Sequence, residues 1–131
     1  MKKFAILALG AFLLAACANE PIYNVSAHPV PYAAQRLSMA QIEAAIIEAG
    51  QGRGWKFTKI GEGKLHAMQY QPKYSADVEI QFDQKSYTIL HRSTRGMKEQ
   101  GNSIHPHYNF WVRNLESDID ARLANAPLMA R

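Results

Sequence analysis

The sequence predicts an α+β domain with two layers: a four-stranded antiparallel meander with two helices packed on one face, in the order α-β-β-β-β-α. Three observations carry this expectation. A capping signal at Ser38 opens a run of apolar residues at helical spacing. Four short segments with strand character follow between residues 55 and 91, each cut off by Gly, Pro or Asp turn signals. A second apolar stripe at steps of three and four runs from Tyr108 to Leu123.

In the first helix, Ser38 and Gln41 stand at N-cap and N3, the spacing of a capping box, and Leu37 and Ile42 form a hydrophobic staple around them. Ile42, Ala45, Ile46 and Ala49 share one face, so the helix spans about 39 to 49, with Gly50 at C′. Gly52 and Gly54 lead into "WKFTKI" (55–60). "GEG" (61–63) turns into a second strand over 65–71, which Pro72 closes. Residues 75–82 alternate most cleanly. Ala76, Val78, Ile80 and Phe82 face one way, and Asp77, Glu79 and Gln81 the other. "DQK" (83–85) turns into a fourth strand over 86–91. Short turns between successive strands imply an antiparallel meander, and the alternation implies one covered face. Residues 92–103, with Gly96 and Gly101, read as a polar loop.

The second helix lies in "IHPHYNFWVRNLESDI" (104–119) and beyond. Tyr108, Trp111, Val112, Leu115, Ile119 and Leu123 make its buried stripe. Pro106 is tolerated only in a first turn, which puts His105 and His107 at the helix start. Asp118 and Arg122 are four apart and are expected to pair on the solvent side.

Before the domain comes "MKKFAILALGAFLLAAC" (1–17). Lys2 and Lys3 form a positive n-region, Phe4 to Leu14 an apolar h-region, and Ala15 and Ala16 small residues before a cleavage point. The run is shorter than the roughly 20 residues needed to span a bilayer, so residues 1–16 read as a signal peptide. "LAAC" (14–17) resembles the lipobox of bacterial lipoproteins. That resemblance implies a diacylglyceryl group on the Cys17 sulfur, cleavage just before it and acylation of the new amine. Ala18, in place of an aspartate, implies transfer to the outer membrane, on its periplasmic face. Each buried methylene contributes about 0.8 kcal/mol, so two or three chains anchor durably. Cys17 is the single cysteine, which leaves no intramolecular disulfide to stabilise the fold. Residues 17–37 contain Pro21, Pro29 and Pro31 and are expected as an extended tether reaching at most about 65 Å. Tyr23, Val25 and Tyr32 are its candidates for contact with the domain, which is placed at 38–131.

Over residues 38–124 the chain also resembles a group of small Gram-negative lipoproteins. The residues that carry this are Gly50 with "RGW" (53–55), "YSADVEI" (74–80) before a Tyr–Ile strand, and a tyrosine-asparagine-x-tryptophan-valine run matched by Tyr108, Asn109, Trp111 and Val112. The resemblance implies architecture and compartment and brings no activity with it.

The formal charge is +4, and leaving out Lys2 and Lys3 gives 13 basic residues against 11 acidic. A near-balanced surface argues against nucleic acid as a partner. Arg92, Arg95 and Lys98 form a candidate basic interaction patch, with Arg53, Lys56, Lys59 and Lys64 around the first hairpin. His91, His105 and His107 are the candidate ligands of a zinc or copper site, without any two-cysteine or His-Glu-x-x-His pattern in support. Asp77 and Glu79 share a strand face and form a candidate acid–base pair, although alternating charge on a wetted strand accounts for them equally well. Nucleophile-elbow, phosphate-loop and dinucleotide patterns are absent from the sequence. The expectation is a non-enzymatic module without cofactor beyond the Cys17 lipid, held at the membrane and binding an envelope protein or glycan. The alternatives are periplasmic metal binding through the histidines and an accessory role in cell-wall hydrolysis.

Overall fold

The computed structural model of the protein describes residues 18–129. The expected signal peptide and Cys17, the lipidation site, lie outside the described residues. The fold is α+β. Strands β2 (Val25–Pro29), β3 (Lys56–Gly61), β4 (Lys64–Tyr70), β5 (Ser75–Phe82) and β6 (Ser86–Arg95) form one antiparallel sheet in the order β2-β6-β5-β4-β3. Two short strands, β1 (Glu20–Pro21) and β7 (Ser103–Ile104), pair beside it. Helices α1 (Met39–Gln51) and α2 (Pro106–Met129) share its apolar face.

The core is the set of residues that the two periodicities place inward. Ile42, Ala45 and Ile46 of α1 and Tyr108, Val112, Leu115, Ile119 and Leu123 of α2 are buried with Leu65, Ala67, Val78, Ile80, Tyr87 and Ile89 of the sheet. At roughly 1.5–3 kcal/mol for each large aliphatic side chain, this layer dominates the stability of the domain. The opposite face of β5, with Asp77, Glu79 and Gln81, stays partly open to solvent.

The sheet has five strands in the described residues, one more than the sequence predicts. The additional strand is β2, from the segment expected as a tether. Val25 pairs with Ile89 and His28 with Tyr87, and Val25, Val30, Ala34 and Leu37 are all buried. Pro29 ends the strand on a sheet edge, where a missing N–H costs little. The His28 ring stacks on Tyr87 at 4.8 Å, and its two nitrogens meet Glu116 Oε2 at 2.7 Å and Asp120 Oδ1 at 3.1 Å. Tyr23 Oη donates to Glu116 Oε1 at 2.6 Å, an interaction that raises the phenol pKa. The ordered domain therefore includes residues from Glu20 onward, and over 20–37 the expected tether is a packed segment.

Two boundaries also shift. Helix α1 continues through Gly50 to Gln51, because Gly50 packs beneath Phe57 and Trp55; a Cβ there would lie 2.3 Å from the Phe57 ring. Strand β6 runs on to Arg95 past a bulge opposite Asp77 and Val78, so the expected loop at 92–103 begins later, at Gly96. Asp118 binds Arg53 before β3, and Arg122 binds Glu48 of α1, so both side chains tie α2 to other elements.

Candidate functional site: an aromatic cleft at the start of α2

Three chain segments meet at the N-terminal end of α2. The first is the turn between α1 and β3. Trp55 N–H donates back to Gly50 O at 3.1 Å, and Gly54 reverses the chain at φ +93°. Such a φ favours glycine, since other residues bring Cβ against the backbone there. The second is the β4–β5 turn, closed by Gln71 N–H to Tyr74 O at 2.8 Å. Arg95 clamps this turn by donating to Gln71 O at 2.9 Å while its guanidinium lies 5.1 Å from the Tyr70 ring centre. Gly96 lies directly beneath the turn, where a Cβ would come within 2.1 Å of Lys73 O. The third is the first two turns of α2, from His107 to Asn114.

Between these segments lies a cleft with two lobes. The larger, about 450 Å³, is lined by Gln69, Pro72, Lys73, Tyr74, His107 and Trp111, with Gln71 at its edge. The smaller, about 320 Å³, is lined by Arg53, Trp55, Gln69, Phe110, Trp111 and Asn114. Gln69 and Trp111 belong to both. Trp111 is the hub of the aromatic wall. It meets Trp55 at 6.5 Å and Tyr74 at 6.2 Å, each nearly edge to face, and His107 at 5.0 Å. These offsets are the arrangements that aromatic quadrupoles favour. Trp111 is only half-buried, which leaves part of the indole facing the cleft.

Gln69 sits at the floor. It occupies an inward position of β4, in register with Leu65 and Ala67, and is 8% exposed. Its Nε2 donates to Arg53 O at 3.1 Å, which fixes the amide orientation, since a carbonyl oxygen can only accept. Its Oε1 is thereby buried with no hydrogen-bond partner. An orphaned buried acceptor costs about 1–3 kcal/mol. Two cations border the cleft. Lys73 is exposed, and Arg53 is held by Asp118, whose hydrogen bond raises the guanidinium pKa further. No carboxylate is among the residues lining either lobe.

The histidines proposed as metal ligands are separated into different roles. His91 Nε2 meets Glu99 Oε1 at 2.6 Å, and its ring lies edge-on to Tyr108. His105 Nδ1 accepts from the His107 backbone N–H at 3.0 Å, and the His107 ring packs against Tyr74 and Trp111. Among the described residues, no group of three or more His, Cys, Asp or Glu is placed to hold a metal. The basic residues are engaged as well. Arg92 binds Glu79 at 2.9 Å and Arg95 binds the β4–β5 turn, whereas Lys98 is exposed and contributes only its backbone carbonyl, which accepts from Asn19 Nδ2 at 3.0 Å. Asp77 accepts from Ser93 at 3.0 Å while Glu79 takes Arg92 and Gln81, so the two carboxylates have separate partners.

The Tyr108–Val112 run splits in two. Tyr108 and Val112 are core, and burial drives the Tyr108 phenol pKa upward. Asn109 fastens the N-terminal segment by accepting from Tyr23 N–H at 2.9 Å and donating to Pro21 O at 2.8 Å and Glu20 Oε1 at 3.1 Å. Phe110 and Trp111 face the cleft. Sequence reasoning missed Gln69 and Tyr74 as site residues. The available signal was a glutamine on the apolar face of an alternating strand, a position that calls for a partner. No protein-family model and no curated protein matches the chain.

Proposed function

We propose that the protein is a non-enzymatic binding module of the cell envelope, tethered to the outer membrane through lipid on Cys17, with the aromatic cleft as its binding surface. The observation that carries this reading is the cleft itself, in which the half-buried Trp111 is shared by both lobes and meets the rings of Trp55, Tyr74 and His107. Ligand clefts typically occupy roughly 300–1,000 Å³, mostly apolar with a few fixed polar groups, and the larger lobe fits that description. The tether part of the reading rests on the lipobox-like "LAAC" and on the signal-peptide pattern before it.

The test is photo-cross-linking in intact cells with benzoylphenylalanine at Phe110, an exposed residue at the cleft rim, against Ser117, an exposed residue further along α2. Discrete adducts at Phe110, absent at Ser117, are expected. Equal yields at both positions would reject the cleft as the binding surface. Mass spectrometry of the mature N-terminus tests the anchor independently: an unmodified Cys17 behind an intact leader rejects it.

A further inference from the structure

We infer that the end of the domain beside the Cys17 anchor, the end that carries Lys73, Arg95 and Lys98, is seated on an anionic lipid surface, an inference that rests on the proposed lipidation of Cys17. The first observation is where the described chain begins. Asn19 Nδ2 donates to Lys98 O at 3.0 Å, and Cys17 stands two residues earlier, a reach of at most about 7 Å. Fatty chains on that sulfur would enter the bilayer next to the loop that follows β6. From Lys98 a run of contacts leads to the β4–β5 turn. His105 N–H donates to Met97 O at 2.8 Å. One residue before Met97, Gly96 packs against the backbone of Lys73 and Tyr74, and the Tyr74 ring meets His107 at 5.2 Å. Lys73, Arg95 and Lys98 therefore share one end of the sheet, and all three are exposed.

Charge is the second observation, and it stands apart from the first. Arg95 donates to the carbonyls of Gln71 and Pro72, and neither it nor Lys73 nor Lys98 has a carboxylate partner among the described residues. Glu99 and Glu20, the carboxylates beside Lys98 and Asn19 in sequence, are turned to internal partners: Glu99 to His91 and Thr94, Glu20 to Asn109. The opposite end of the sheet is different. Its turns after β3 and β5 pair Glu62 with Lys64 and Asp83 with Lys85, one charge of each sign. Cations held within a Debye length of an anionic leaflet add their attractions, so the unbalanced end is the one such a surface selects. Tyr70 fits the same surface. It is 65% exposed beneath the Arg95 guanidinium, and half-apolar rings of this kind favour the headgroup level.

The experiment uses the full chain, with the mass of its N-terminus establishing the lipid, inserted into vesicles of phosphatidylcholine and into vesicles of an equimolar mixture with phosphatidylglycerol. The lipid on Cys17 leaves each variant one free thiol for a polarity-sensitive dye. Gln71→Cys places the dye at the anchor end, and Lys85→Cys places it beyond the other end of β5, about 25 Å away. In the anionic vesicles the emission shift at position 71 is expected to be at least about threefold that at position 85, and to fall by about half or more in phosphatidylcholine alone or in high salt. Lys73→Gln with Lys98→Gln, two exposed side chains without partners, should cut the shift at position 71 by a similar factor. Equal shifts at positions 71 and 85 overturn the seating. A shift at position 71 that ignores anionic lipid, or that survives the double substitution, overturns the electrostatic docking and leaves the tether standing. A Cys17 without lipid rejects the tether and the inference together.

Discussion

Replacing Gln69 with methionine should make the protein more stable, which is an unusual expectation for a residue only 8% exposed. Point substitutions destabilise by about 1 kcal/mol on average, and buried ones by more. Here the wild-type side chain carries its own penalty. The partnerless Oε1 costs about 1–3 kcal/mol, whereas the Nε2 bond to Arg53 O contributes about 0.5–1.5 kcal/mol. Arg53 lies in an exposed turn, where water replaces the lost donor. Methionine matches glutamine in length and adds a flexible apolar contact to the tryptophans. The balance is centred on a gain of about 1 kcal/mol, or a rise in Tm of about 4–6 °C for a domain of this size. Thermal and urea unfolding followed by circular dichroism measure it, with an unchanged m-value as the check that only stability moved. A fall of about 1 kcal/mol or more would refute the reasoning. Gln69 would then be a satisfied core residue.

Gly96→Ala should cost about 2–4 kcal/mol, combining a left-handed backbone with a Cβ driven into Lys73 O, whereas Gly101→Ala, at φ +60° with open space around it, should cost only about 1–2 kcal/mol. Equal losses in urea unfolding would contradict the close packing of the β4–β5 turn. Val25→Asp should destabilise by more than about 3 kcal/mol, since a carboxylate would enter the core opposite Ile89; an unchanged Tm would return residues 20–37 to the status of a detached segment. Asp83 accepts from the N–H groups of Ser86 and Lys85, and these bonds lower its pKa. Its folded value lies below the unfolded one of about 3.9, so its contribution is complete above about pH 4 and is lost as pH falls through the folded value. Asp83→Asn should therefore be less stable than wild type near pH 7, by roughly 0.5 kcal/mol once solvent screening is included, and the gap should close in acid. A gap that stays constant from pH 7 to pH 2 would rule out the titration.

The parts of the fold legible in the sequence are those set by local chemistry. Ser38 and Gln41 form both halves of the capping box, at 3.1 and 2.9 Å, and β5 keeps its alternation at every position. The stripe on α2 is buried as its spacing predicts, except that Trp111 is left half open. What the sequence concealed depends on partners distant along the chain. Three prolines between 21 and 31 report backbone preference only, and a proline preference is the same in a free tether and in an edge strand. The burial of Val25 against Ile89 decided between them, and no local pattern encodes that pairing. The cleft was hidden for a similar reason. Its wall comes from the segments around Trp55, Tyr74 and Trp111, and only folding brings these rings together. Periodicity placed Trp111 on the buried stripe of α2, which is half correct.

The fastening of Glu20 and Pro21 to Asn109 bears on how far the domain can stray from a lipid on Cys17. Ala18 and Asn19 alone separate that cysteine from the first strand, a leash of about 10 Å where a free stretch would have allowed about 65 Å. If Cys17 carries the proposed lipid, the end of α2 that bears His107 and Trp111 would stay near the headgroups. Under the proposed lipidation of Cys17, anything the cleft captures would have to come close to the bilayer.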